Sequence, residues 1–193
     1  TEGSRIWLEF DGVYRMSRYW LNGKQIAEHP SGTTMLRLDI TEHLKSGSNM
    51  LVVSVDPRLQ EGWWYDGGGI NRHVRMVVVP EIHVTPDGVF VRSTIPDPKD
   101  GITAPATIHV DTTVANTTKK AAKLEVRHAI VAADGSIAQT SHKTMKLAPG
   151  EDYVKQTFKL PDARLWSCER PELYTLRTTI ALNGKPVDEV ENT

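Results

Sequence analysis

Residues 61–74, EGWWYDGGGINRHV, set two tryptophans and a tyrosine between two carboxylates, ahead of three consecutive glycines. Trp63, Trp64 and Tyr65 are rings of the kind that stack on the apolar faces of sugars. Glu61 and Asp66 are carboxylates able to accept hydrogen bonds from sugar hydroxyls. Gly67-Gly68-Gly69 opens backbone conformations closed to other residues and allows close approach by a chain or ligand. It is no phosphate loop, since no Lys-Ser/Thr follows and no helix pattern begins there. The alternative is packing alone, one tryptophan filling a core and the other a domain seam. The remaining reactive residue types point to less. His29, His43, His73, His83, His109, His128 and His142 form neither HExxH nor a close pair, so no metal and no cofactor is expected. Cys168 is the single cysteine, without the context that activates a thiol.

The elements that must carry this stretch are strands. Alternation of apolar and polar residues marks RIWLEF (5–10), RMSRYWL (15–21), TMLRLDI (34–40) and NMLVVSV (49–55). Asn22-Gly23 supplies the two positive-φ positions of a tight hairpin. Ser46-Gly47-Ser48-Asn49 reverses the chain, and Thr41 is expected to cap the one short helical candidate, TEHLK. After residue 80 a train of half-buried strands follows, punctuated by Pro86-Asp87-Gly88, Asp134-Gly135, Pro149-Gly150 and Asn183-Gly184. About seven strands there suit an immunoglobulin-like sandwich. LNGK at 21–24 and again at 182–185 reads as two independent hairpins, because the flanking residues differ.

The predicted fold is all-β: the C-terminal part of a galactose-binding-like jelly roll over 1–79, then an immunoglobulin-like sandwich over 80–193. A jelly roll needs eight strands, and residues 1–79 offer four or five, so the opening strands are expected upstream of Thr1. Charges nearly cancel, 23 Lys+Arg against 24 Asp+Glu for a net charge of -1, which gives no footprint for nucleic acid. No apolar run approaches the roughly 20 residues that span a bilayer, so no membrane partner is expected.

Three motifs in order resemble the non-catalytic N-terminal region of family 2 glycoside hydrolases, the β-galactosidases, β-glucuronidases and β-mannosidases. The first is Phe10, Gly12, Val13, then Leu21-Asn22-Gly23, His29, Gly32, Asp39-Ile40-Thr41, Gly47, Asn49, Leu51 and Val53. The second is Trp64, Tyr65, Gly67, Gly69, Ile70, Arg72 and Val74; the third is Leu165-Trp166-Ser167, Pro171, Leu173 and Tyr174. Asn71 stands where the family usually has an aromatic residue, and Asp66 where it often has Pro or Glu.

The resemblance implies a parent enzyme that cleaves β-galactosides or β-glucuronides with retention, through two glutamates on a (β/α)₈ barrel. That mechanism needs two carboxyls about 5 Å apart. Glu169 and Glu172 flank Pro171 in a sandwich-edge motif and are read as structural, so no catalytic residue is assigned to this chain. What the resemblance leaves to it is support of the barrel and one wall of the substrate cleft, with Glu61 or Asp66 on sugar hydroxyls and Trp63 or Trp64 as a stacking wall. The rival reading pairs the two acids with Arg58 or Arg72 at the rim. Two other functions stay open, an autonomous carbohydrate-binding module and a ligand-free scaffold sandwich. Enzymes of this family occur in bacterial cytoplasm, in periplasm and in secreted form.

Overall fold

The computed structural model describes residues 3–58, 67–96 and 101–193. The chain divides into two compact units, Thr1–Val79 and Pro80–Thr193. Both are built of strands, and one 3-10 turn, Thr41–His43, is the helical element among the described residues.

The first unit contains β1 (Ser4–Phe10), β2 (Val13–Tyr14), β3 (Ser17–Leu21), β4 (Lys24–His29), β5 (Leu36–Asp39), β6 (Leu51–Ser54), β7 (Gly69–Ile70) and β8 (Val74–Pro80). They pair as β5-β1-β8, β4-β3-β6 and the short ladder β2-β7. Alternation turns Ile6, Leu8 and Phe10 of β1 and Tyr19 and Leu21 of β3 into one core. The rings of Phe10 and Tyr19 meet at 4.8 Å with a 59° tilt. Burial raises the Tyr19 phenol, whose hydroxyl lies 2.9 Å from Ser17 Oγ. These eight strands among the described residues exceed the expected four or five, and two of them, β2 and β7, are two-residue pairings beside Gly12 and Gly68. RMSRYWL becomes a strand only from Ser17, since Met16 takes a φ of 48°. The edge strands β6 and β8 leave Val52, Met76 and Val78 exposed.

The β3–β4 hairpin turns on Asn22 (φ 53°) and Gly23 (φ 83°), as the Asn-Gly pair requires. Asn22 also ties this turn to the next reversal. Its Nδ2 donates to His43 O (3.0 Å) and Asn49 Oδ1 (2.8 Å), and its Oδ1 accepts from Met50 N (3.1 Å). Asn49 in turn closes its own loop through Lys45 N, Lys45 O and Gly47 O. Gly23→Ala is expected to cost about 1 kcal/mol in urea unfolding, purely from its positive φ, because a Cβ there meets no atom within 4 Å. Thr41 is not a cap: Ile40 holds that position without a side-chain bond. Thr41 Oγ1 instead accepts from Ile6 N (2.9 Å) and donates to Asp39 Oδ1 (2.7 Å), fastening the turn to β1.

The second unit holds β9 (Ile82–Thr94), β10 (Thr103–Asn116), β11 (Ala122–Val131), β12 (Ile137–Leu147), β13 (Gly150–Arg164), β14 (Thr175–Leu182) and β15 (Lys185–Asn192). These seven strands form two antiparallel sheets, β13-β10-β9 and β12-β11-β14-β15, an immunoglobulin-like sandwich. Asp134-Gly135 and Asn183-Gly184 turn the hairpins β11–β12 and β14–β15. Pro86-Asp87-Gly88 does not separate two strands. It lies inside β9 as a bulge, where Thr112 pairs with Val89 but Val114 with Val84. Gly88 fits because a Cβ would fall 2.2 Å from Thr85 Oγ1.

Two apolar clusters fill this sandwich. One gathers Val114, Val126, Val154 and Ile180; the other gathers Val110, Ile130, Phe158 and Leu176. Between them, four strands each contribute one buried polar residue: Thr112 from β10, His128 from β11, Gln156 from β13 and Thr178 from β14. His128 Nε2 lies 2.8 Å from Thr112 Oγ1, and its Nδ1 is bonded to Gln156 Oε1. A polar stratum thus crosses an otherwise apolar core.

Candidate functional site

Glu61, Trp63, Trp64 and Asp66, the residues expected to face sugar, lie outside the described residues, as does Tyr65. Pro57 and Gly68 pass so close that a Cβ on Gly68 would lie 2.7 Å from Pro57 Cγ. Only glycine permits this approach, which explains one of the three consecutive glycines.

The corner that follows is built against the Phe10–Val13 segment. Ile70 pairs with Val13 and Gly69 with Tyr14, Gly69 taking a φ of 137°. Asp11 N–H donates to His73 O (3.0 Å), and Arg75 Nη1 donates to Asp11 Oδ2 (2.7 Å). Gly12 leaves room for Arg72, whose Cδ would be 3.0 Å from an added Cβ. The two glycine-bearing motifs, 58 residues apart in the case of Gly12 and Ile70, are therefore halves of one joint.

Two arginines near this joint have acceptors among the described residues. Arg58 clasps Asp56 with two bonds, Nε to Oδ1 (2.7 Å) and Nη2 to Oδ2 (2.5 Å). This fork holds the Asp56 carboxyl down at about 2 and raises the Arg58 guanidinium. Arg72 Nη1 donates to Thr33 O at 3.4 Å. The two arginines considered as rim partners of Glu61 and Asp66 thus have other acceptors. The Asp56–Arg58 fork was not anticipated from sequence, although an Asp-x-Arg spacing before an acidic, aromatic loop is a legible signal. His29 is a loop brace, its Nε2 lying 2.9 Å from Thr34 Oγ1. Gly32 sits beneath the Tyr14 ring, where a Cβ would come within 2.0 Å.

At one end of the second unit a cleft of about 300 Å³ opens between the sheets, lined by Val91, Ile108, Leu160, Trp166, Leu173 and Tyr174. Trp166 is 57% exposed and Leu173 52% exposed. The backbone here is pinned by Arg164 N–H to Tyr174 OH (3.0 Å) and Leu165 N–H to Ile102 O (2.9 Å). Glu172 faces Arg164 at 3.6 Å, and Cys168 is an exposed free thiol. Among the described residues no group of three or more His, Cys, Asp or Glu is placed to hold a metal ion.

A glycine-built joint beside an aromatic and acidic stretch, followed by a seven-stranded sandwich, defines the class: a galactose-binding-like jelly-roll unit joined in sequence to an immunoglobulin-like unit. Comparison with known proteins gives the family. Residues 84–193 match the model described as glycosyl hydrolases family 2, and residues 1–67 match the glycosyl hydrolase 2 galactose-binding domain-like model. The chain belongs to glycosyl hydrolase family 2 and matches its N-terminal, non-catalytic domains.

Among its relatives is the β-galactosidase BoGH2A of Bacteroides ovatus, 31% identical over 184 residues, covering 94% of this chain and 21% of that protein. A glycosyl hydrolase family 2 member from Bacteroides cellulosilyticus superposes with a TM-score of 0.90 at 27% identity, over 98% of this chain and 26% of that one. A β-glucuronidase from Bacteroides uniformis gives a TM-score of 0.85 at 27% identity, over 98% and 24%. The chain spans only between 21% and 26% of the length of these proteins.

Proposed function

We propose that this chain is the non-catalytic N-terminal portion of a retaining β-glycosidase, supporting its catalytic barrel and lining one wall of its substrate cleft. The observation that carries the reading is coverage: 94% of this chain aligns with 21% of a β-galactosidase, in the family's non-catalytic domains. The substrate of the complete enzyme is a β-galactoside or β-glucuronide, the two activities its relatives' names carry. The exposed apolar cleft at Trp166 and Leu173 supports the scaffold half of the reading, because apolar surface of this kind gains most from being covered by another domain. The bracing of the Gly67–Val74 corner supports the cleft half. It fixes the chain directly after the segment that carries Glu61, Trp63, Trp64 and Asp66.

In this reading Glu61 or Asp66 accepts hydrogen bonds from substrate hydroxyls, and Trp63 or Trp64 offers a stacking face. A charged hydrogen bond is worth about 1.5–3 kcal/mol. Glu61→Ala or Asp66→Ala in the complete enzyme is therefore expected to lower kcat/KM by roughly tenfold to a hundredfold. Unchanged kcat/KM in both variants sinks the cleft-wall assignment while leaving the scaffold role in place. Calorimetry of the 193-residue chain against galactosides and glucuronides separates this from an autonomous sugar-binding module, which requires measurable heat.

A further inference from the structure

We propose that the polar stratum of the second unit is an acid-sensitive lock, in which neutral His128 bridges the two sheets and its protonation releases the bridge. The geometry sets the roles of the ring nitrogens. Nδ1–H donates to Gln156 Oε1, and Nε2 accepts from the hydroxyl of Thr112. Gln156 and Thr112 belong to the β13-β10-β9 sheet and His128 to the other, so these two bonds join the sheets through the core. A second proton on Nε2 turns this acceptor into a donor aimed at a donor. The Thr112 hydroxyl must then swing round, yet Thr112 is fully buried. A cation would also sit in an apolar interior, with Thr178 Oγ1 beside it in the stratum lacking a hydrogen-bond partner among the described residues.

Among the described residues no charged group shares the stratum to offset that cation. By strand alternation the titratable groups on the inward faces are Lys143 of β12, opposite Val126, Asp152 of β13, opposite Val114, and Asp188 and Lys185 of β15, opposite Ile180 and Leu182. The first three are one inward position away and Lys185 is two, and Asp188 accepts from Val84 N (2.8 Å). Glu125, Arg127, His142 and Arg177 lie on the outer face of the β12-β11-β14-β15 sheet, and His83 on the outer face of β9, its Nδ1 on Pro80 O. Burial accordingly holds the His128 imidazole below its ordinary value, against the opposing effect of the Gln156 bond.

The sign follows from linkage. A histidine held below its ordinary value binds its proton more readily in the unfolded chain. Its contribution is therefore intact above about pH 6.5 and is lost as pH falls below that value. The bridge lies within the sandwich alone and is independent of the proposed cleft residues.

Urea unfolding of the 193-residue chain, His128→Gln and His128→Leu between pH 7.5 and 5 tests it. The unfolding constant of the second unit is expected to rise up to about tenfold per pH unit below 6.5 in the wild type, relative to His128→Leu. Parallel pH profiles in wild type and variants overturn the proposal, since the other histidines are common to all. Should neither variant fold, histidine ring NMR of the wild type decides. The His128 signal is expected to titrate below the ordinary histidine midpoint, and an ordinary midpoint for His128 overturns the lock.

Discussion

Phe10→Ala is expected to destabilise the first unit by about 3–5 kcal/mol, the range for removing a buried phenylalanine. Phe10 is 1% exposed and packs against Tyr19, which is fully buried, at a ring separation of 4.8 Å. It is also the last residue of β1, paired with Leu36, so the lost ring leaves a void where the sheet turns toward Gly12. Collapse into that void is resisted on one side by the Tyr19 hydroxyl, held on Ser17. The unit is small, so such a loss takes most of its stability. A fall in urea midpoint at constant m-value measures it, and Phe10→Leu should recover most of the difference. A Phe10→Ala cost under about 1 kcal/mol would show that the two rings do not form the core of this unit.

Asn116→Ala is expected to cost the second unit about 2–3 kcal/mol although it removes hardly any apolar surface. Asn116 is 1% exposed and saturates its amide. Its Nδ2 donates to Lys120 O (2.9 Å) and Leu147 O (3.1 Å), while Oδ1 accepts from Thr118 N (3.0 Å) and Thr118 Oγ1 (2.7 Å). Truncation strands the buried Leu147 carbonyl at the end of β12 and frees the β10–β11 turn. The price of an unpaired buried backbone group is about 1–3 kcal/mol. Asn116→Asp is the sharper comparison, because a carboxylate has no N–H to give and sets a charge against two carbonyls. It is expected to unfold at lower urea than the alanine variant at pH 7, and the gap should narrow as the acid is protonated.

Local rules made much of the fold legible. Alternation in RIWLEF and NMLVVSV marked β1 and β6, and Asn-Gly or Asp-Gly pairs marked three hairpins. Where two local signals competed, the reading failed. Pro86-Asp87-Gly88 has the composition of a turn, but pairing with β10 on both sides draws it into one long strand. Thr41 stands ahead of a helical turn, yet Asp39 and Ile6 claim its hydroxyl. Residues that meet only through tertiary pairing were invisible: Asn22 with Asn49, or Thr112 with His128 and Gln156. Each is an unremarkable polar residue in its own strand. The corner of the candidate site was readable from glycine spacing, because Gly68 passes too close to Pro57 for a Cβ and Gly12 leaves room for Arg72. The half proposed to face sugar rests on residue type alone.

The polar stratum also bears on how the second unit finds a single alignment of its strands. Sliding one strand by one residue turns every valine and leucine outward and is heavily penalised. Sliding it by two preserves the apolar pattern, and valine then simply faces a different valine. The stratum removes this degeneracy. A two-residue slip of β11 carries His128 away from Thr112 and Gln156 into the neighbourhood of Val154 or Phe158, leaving three buried polar groups unmatched. At about 1–3 kcal/mol for each, the slipped sandwich becomes uncompetitive with the native one. Hydrophobic burial drives this unit together, and one imidazole fixes the notch at which it stops.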